Sequence, residues 1–253
     1  MVFRVCLCVV LLAACGYANI SGDYCQVLDN YDSFKTSMDN FLASRDETCG
    51  NTDLRSDCRS ILKEFPEAED GVYRIKPTDG KGSFLAYCDM TGGGWLVFQR
   101  RMDGSEDFYR TWFEYMDGFG NLTREFWLGN EKIHRLTKQK TYELRIDVEN
   151  KSGSLYAEYN SFHLGSMSEF YTLFIGTYSG TAGDKMLYSN NTRFSAQNLD
   201  LDTFPRNCAD ENRGAWWYNA CAKAELNRLY SKTIYWQGMS GIISSSMKIR
   251  PLL

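Results

Sequence analysis

Gly93-Gly94-Trp95-Leu96-Val97-Phe98-Gln99-Arg100-Arg101, followed by Asp103-Gly104-Ser105 and Phe108-Tyr109-Arg110, is the stretch on which the fold turns. Trp95 to Arg100 reads as a strand. The Arg100-Arg101 pair reads as a solvated feature of that strand or of the turn after it. Upstream, Gly71 to Ile75 and Phe84 to Cys88 read as strands around a turn at 77–82. Downstream, Asn130 to Leu136 reads as a short helix. Tyr142 to Val148 and Leu155 to Tyr159 alternate like a hairpin about Lys151-Ser152-Gly153. Phe170 to Tyr178 continues the sheet. After Gly180 the chain is rich in Gly, Asn and Asp and has little periodicity, so the final third reads as loops, where binding sites concentrate. The class is α+β.

Composition narrows the function. The 253 residues carry a net charge of -4, and no Lys/Arg cluster exceeds two or three residues. That argues against a nucleic-acid groove. Hydrophobic residues at 43% supply a substantial core, and aromatics at 15% favour binding faces. Residues 1–18 read as a signal peptide: Arg4, an apolar run from Val5 to Ala14, then small residues Gly16 and Ala18 before cleavage. Leu12-Ala13-Ala14-Cys15 also fits a bacterial lipoprotein signal. The run is shorter than the roughly 20 residues a membrane span needs. The expectation is a secreted, extracellular protein.

Cleavage removes Cys6, Cys8 and Cys15 and leaves six cysteines, Cys25, Cys49, Cys58, Cys88, Cys208 and Cys221. An even number in an exported chain points to disulfides. The absence of a close Cys-x-x-Cys pair argues against zinc. Asn121, Asn150 and Asn190 head sequons for surface glycosylation, and Asn19 heads a fourth beside the cleavage point.

Residues 19–56 form a leader. Tyr24, Val27, Tyr31, Phe34, Met38 and Phe41 make a heptad stripe over about two and a half heptads. A helix docked on its own domain, a self-association helix and a disordered segment all stay open. If residues 25–43 are helical, Cys25 and residue 43 lie roughly 27 Å apart. Six further residues span at most about 20 Å, so Cys25–Cys49 closure within one chain has little slack. The expectation is that Cys25 and Cys49 link different chains into a homo-oligomer.

Further motifs follow the opening stretch in order: Gly118-Phe119-Gly120-Asn121, Glu125-Phe126-Trp127-Leu128-Gly129-Asn130-Glu131-Lys132-Ile133-His134, Tyr178-Ser179-Gly180-Thr181-Ala182-Gly183-Asp184, Gly214-Ala215-Trp216-Trp217-Tyr218 and Met247-Lys248-Ile249-Arg250-Pro251. The series resembles the fibrinogen C-terminal domain, found in fibrinogen chains, ficolins, tachylectins, angiopoietins and tenascins. The resemblance runs from about Asp57 to Pro251, so residues 57–253 form the domain. It implies a central, mostly antiparallel sheet, short helices and a loop-rich C-terminal subdomain. It also implies disulfides Cys58–Cys88 and Cys208–Cys221.

Asn198-Leu199-Asp200-Leu201-Asp202-Thr203-Phe204-Pro205-Arg206-Asn207-Cys208 offers oxygens at alternate residues of a loop, a pattern that can converge on a hard cation. Spacing alone leaves a calcium site and a solvated Asp-rich turn equally open. The resemblance implies Ca2+, held by the carboxylates of Asp200 and Asp202 and the carbonyls of Phe204 and Arg206. Asn198 stands where the family has Asp.

The family's ligand pocket implies a second site beside the Cys208–Cys221 loop, with a cis Ala220–Cys221 bond presenting backbone groups. Ala222 stands where lectin members often carry His, and Asn212 where they usually carry Tyr or Phe. The stretches 226–236 and 236–247 are shorter than usual, which removes pocket wall. Tyr218 remains, whereas Trp216 and Trp217 read as core. His134 and His163, the latter just after the second hairpin strand, read as structural. No nucleophile elbow, zinc-protease motif or phosphate loop is present, so no enzyme is expected. The expectation is a calcium-binding recognition protein, an innate-immune lectin for glycans or microbial surfaces. The alternative is a signalling or matrix ligand that binds a cell-surface protein without sugar binding.

Overall fold

Alternation decides which side of each strand meets the core. In β1 (Gly71–Ile75) and β2 (Phe84–Asp89), Ile75, Phe84, Ala86 and Cys88 are buried while Val72 and Leu85 stay exposed. The computed structural model describes residues 54–230 and 234–252. The leader, with its heptad stripe, Cys25 and Cys49, and the signal peptide lie outside the described residues.

β3 (Trp95–Arg101) is buried along nearly its whole length because elements cover both its faces. It pairs with β2 on one side and with β12 (Ile242–Pro251) on the other. β12 then pairs with β6 (Tyr142–Asn150), and β6 with β7 (Gly153–Leu164). The hairpin closes at Asn150 and Gly153, as its turn residues predict. β8 (Leu173–Ile175) and β9 (Tyr178–Gly180) pair with β7, and every pairing is antiparallel. β4 (Phe119–Gly120) and β5 (Phe126–Trp127) extend β3, while β10 (Ala224–Glu225) and β11 (Tyr235–Trp236) form a separate ribbon.

Four α-helices are described, each started by local chemistry or by a tight glycine. α1 (Cys58–Glu64) has Asp57 as N-cap, whose carboxylate accepts from Ser60 N at 2.8 Å. α2 (Trp112–Asp117) opens with a Thr111/Glu114 capping box. Gly118 ends it at φ +93°, where a Cβ would lie 2.2 Å from Leu128 O. α3 (Asn130–Gln139) follows Gly129, and α4 (Cys208–Asn212) is capped by Asn207.

Four sequence expectations are corrected. The final third is not all loop: β12 is the central strand, its pattern hidden because Ser244, Ser245 and Ser246 interrupt the apolar run. Phe170 to Tyr178 is not continuous strand, since Phe170 and Tyr171 take left-handed backbone (φ 53° and 48°) before β8. His163 lies inside β7, stacked on Phe174 at 4.5 Å. Arg101 is not solvated but 1% exposed, whereas Arg100 is half-buried over the Tyr87 ring at 4.0 Å.

Arg101 Nη1 donates to Leu226 O at 3.0 Å and Arg228 O at 2.7 Å, and Nε lies 3.5 Å from Glu125. The Glu125 carboxylate accepts N–H bonds from Met102, Asp103, Gly104 and Glu106 at 2.7–3.1 Å. Burial opposes its charge, but these backbone donors and Arg101 outweigh burial and hold the carboxyl below the usual range. Arg101→Met removes the cation that faces the buried Glu125, takes the side-chain donor from Arg228 O and leaves Leu226 O with Gln99 alone, at a cost of roughly 3–5 kcal/mol. Thermal melting is expected to fall by about 6–20 °C in Arg101→Met, and much less in Arg100→Met. Equal losses in the two variants would show that the buried pair does not hold this region.

Candidate functional site

The loop at 198–208 folds around Asp202. Its Oδ1 accepts from Phe204 N at 2.8 Å and its Oδ2 from Cys208 N at 3.0 Å. Asp200 Oδ1 accepts from Asp202 N at 3.2 Å. Burial raises the Asp202 carboxyl first; the backbone donors oppose this, and repulsion from Asp200 adds to it, leaving it at about 6. Two neighbouring carboxylates in mutual repulsion are the kind of oxygen donor that a hard divalent cation takes. Among the described residues no group of three or more His, Cys, Asp or Glu gathers to hold a metal. The Asn198 side chain is engaged elsewhere, since its Oδ1 accepts from Trp112 N at 2.8 Å and satisfies the start of α2.

Both implied disulfides are present, Cys58–Cys88 and Cys208–Cys221, with Cα separations of 5.6 and 5.3 Å. The second ties the 198–208 loop to the turn at 219–221. There the expectation of a cis bond fails: among the described residues every peptide is trans, Ala220–Cys221 included. The turn is made by Cys221 at φ +56° and closed by Asn219 N donating to Cys221 O at 2.9 Å.

Asn219 is the junction. Its carbonyl accepts from Thr203 N at 3.1 Å and its Oδ1 from Thr203 Oγ1 at 2.8 Å. Its Nδ2 reaches Tyr188 O at 3.4 Å, and Tyr188 Oη donates to Ala220 O at 3.4 Å. Lys223 Nζ sits 5.2 Å from the Tyr188 ring centre. Sequence reasoning missed Tyr188, which lies about thirty residues upstream with no motif marking it. Ala220 is exposed and Ala222 half-buried. Asn212 does not face a ligand freely, since its Oδ1 accepts from Arg228 Nη2 at 2.9 Å. Trp216 and Trp217 are core, as expected, and Tyr218 joins them: all three are 0% exposed.

Residues 54–251 match the family model for the fibrinogen beta and gamma chains, C-terminal globular domain. The chain belongs to the fibrinogen C-terminal domain family. Fibrinogen-like protein A of Apostichopus parvimensis is 45% identical over 211 residues, covering 77% of this chain and 74% of that protein. Fibrinogen C domain-containing protein 1 of Mus musculus is 42% identical over 229 residues, covering 83% of this chain; the match spans half of that relative. The solved fibrinogen-like globe domain of human ANGPTL2 is 38% identical at a TM-score of 0.75, with 78% of this chain and 99% of that one covered. Lamprey fibrin D-dimer, solved with the peptide Gly-His-Arg-Pro-amide, is 30% identical at a TM-score of 0.73, with 99% and 94% covered.

In this fibrinogen-related domain the ground behind the 219–223 turn is polar and closed. Tyr218 Oη donates to Glu225, which is 1% exposed and lies 3.7 Å from Arg228 Nε. Burial pushes the Glu225 carboxyl up to about 7, although Tyr218 and Arg228 favour its charge. The folded-state value exceeds the unfolded one, so the group's contribution is fully present below about 4.5 and is lost as pH rises through about 7. Glu225→Gln keeps an acceptor for Tyr218 without the charge. The variant is expected to melt above the parent at pH 8, by a margin on the order of 3 kcal/mol at most, and to lose that margin at pH 5. The same margin at both pH values would rule out a buried charge at Glu225.

Proposed function

We propose that this chain is a secreted, calcium-stabilised recognition protein that binds the surface of another extracellular protein through the 219–223 turn and Tyr188. The observation that carries the reading is the closure of the acetyl-pocket positions. Tyr218 is buried against Glu225, Asn212 is held by Arg228, and Ala222 brings no ring. What stays accessible is a broad surface: Ala220 and Lys223 on the turn, with Leu187 58% exposed beside Tyr188. Such a face suits a protein partner better than a small ligand, which needs a concave pocket. Secretion rests on the signal-peptide pattern and on the extracellular character of the relatives. Among the described residues no helix is long and apolar enough to cross a membrane. Of the three sequons among the described residues, Asn121 is exposed, while Asn150 and Asn190 are half-buried.

Calcium would be held by the Asp200 and Asp202 carboxylates and the Phe204 and Arg206 carbonyls. Bound there, it would neutralise the carboxylate repulsion and fix the loop that supports Asn219. One observation favours the glycan-binding reading, that of an innate-immune lectin: Tyr188 offers an aromatic ring beside Ala220, a surface on which a sugar face can stack.

Calcium is expected to raise the melting midpoint relative to chelator, by about 2.7 kcal/mol of stability at a hundredfold excess over Kd. The shift should vanish in Asp200→Ala/Asp202→Ala. No shift at saturating calcium, or the same shift in the double variant, rejects the site. Calorimetry with N-acetylglucosamine, with calcium present, is expected to show weak or no binding. Low-micromolar binding that is lost in Tyr188→Ala would make the chain a lectin instead.

A further inference from the structure

The turn at 77–82 is clamped onto the flank of α3, far in sequence from the loops discussed above. Arg135 Nε and Nη2 donate to the two Asp79 oxygens at 2.6 and 3.0 Å, and Nη2 also donates to Gly82 O at 2.7 Å. Thr78 N donates to Gln139 Oε1 at 3.0 Å, and Lys81 N to Asp79 Oδ1 at 3.1 Å. These bonds fix the walls of a cleft of about 230 Å³. Lys81, His134, Arg135 and Lys138 all line it.

The charge there runs against the molecule. The chain carries -4 overall, yet three cations and one carboxylate, Asp79, line the cleft, with Glu131 paired to Lys81 outside the lining. The Arg135 side chain is only 10% exposed, so its guanidinium is held in place and not free to swing. Asp79 and Gly82 take its Nε and Nη2, which leaves Nη1 outside that fork. Lys81 gives one of its three N–H donors to Glu131 at 3.1 Å. The Lys138 side chain is exposed, and its ammonium has no hydrogen bond or ion pair among the described residues. His134 Nδ1 is 2.9 Å from Leu164 O, and an acceptor there makes Nδ1 the donor.

We propose that this cleft binds a tetrahedral oxyanion, a sulfate ester or a phosphate, between Lys138, Lys81 and the anchored Arg135. A fixed guanidinium beside two ammonium groups is the arrangement that recognises such groups, and Arg135 loses little freedom on binding. The site uses neither calcium nor the 219–223 turn, so it stands or falls independently of the recognition face.

Amide shifts of Lys81, Arg135 and Lys138 would be followed by NMR in sodium sulfate and in sodium phosphate, against sodium chloride at equal ionic strength. Saturable shifts in the millimolar range are expected with sulfate or phosphate and not with chloride. Lys138→Gln, on an exposed site, should keep the parent's melting midpoint and weaken binding about fivefold, the worth of one charge at close range in water. Lys151→Gln, on the hairpin tip, should leave binding unchanged. A sulfated disaccharide and its desulfated form separate the sources. Tighter binding of the sulfated sugar than of sulfate assigns a glycan, and preference for phosphate with no gain from the sugar assigns a phosphate group. Shifts that do not saturate, that chloride reproduces, or that Lys138→Gln leaves unchanged overturn the proposal.

Discussion

The buried pairing of Arg101 with Glu125 fixes the rest of this domain. Taking two charges out of water costs several kcal/mol per ion, and the surroundings offset that cost unevenly: Glu125 gains four backbone donors, whereas only Nη1 of Arg101 is hydrogen-bonded and its buried Nε and Nη2 are not. Glu125 draws in the backbone of 102–106, and Arg101 draws in the carbonyls of Leu226 and Arg228. Two segments about 120 residues apart are thereby set against one strand end. Gln99, one turn of the pleat earlier, repeats the device: its Nε2 reaches Leu226 O and Asn227 Oδ1, while Ser245 Oγ donates to its Oε1. The inward polar side chains of β3 thus bolt the C-terminal lobe to the sheet, with geometry that apolar contacts alone do not impose.

Apolar packing completes that attachment. Phe98 on β3 stacks with Phe162 on β7 and meets Trp127 edge-on. Trp127 leads to Phe194 and Trp217, and Trp217 to Trp216. One continuous aromatic seam therefore runs from the sheet into the lobe that carries the candidate recognition surface. β12 lies at the centre of the sheet, between β3 and β6. Its partners lie about 100 to 150 residues before it, so the sheet closes only when β12 arrives. That is the high contact order that makes folding slow.

The regular strands were legible in the sequence because alternation is a local signal. β1, β2, β3 and the β6–β7 hairpin fall where Ile75, Phe84, Val97, Ile146 and Ala157 place them. β12 was obscured because its one buried serine, Ser245, is polar and lies between the half-buried Ser244 and Ser246, so no apolar alternation marks this part of the strand. Arg101 misled for a related reason: a charged pair at a strand end usually faces water, and only Glu125 and two distant carbonyls decide otherwise. The family pattern located the disulfides and the Asp-rich loop. It did not reveal that the Ala220–Cys221 turn is trans, nor that Tyr188 stands beside it, because both depend on contacts between segments with no sequence relation.

Those same contacts join the two halves of the candidate site. Asp202 holds the backbone at Phe204 and Cys208, Cys208 is bonded to Cys221, and Thr203 grips Asn219 from both its carbonyl and its side chain. The 219–223 turn is therefore an extension of the Asp-rich loop. Any cation that stiffened the loop would reduce the freedom of Asn219, and with it that of Ala220 and Tyr188. A partner that docks on an ordered turn loses less entropy than one that must order it, so an ion at Asp200 and Asp202 and a partner at Ala220 would favour each other without touching. By linkage the effect is reciprocal: the partner would raise affinity for the ion by the same factor. The structural route for that coupling is short, a single disulfide and the Thr203–Asn219 hydrogen bonds.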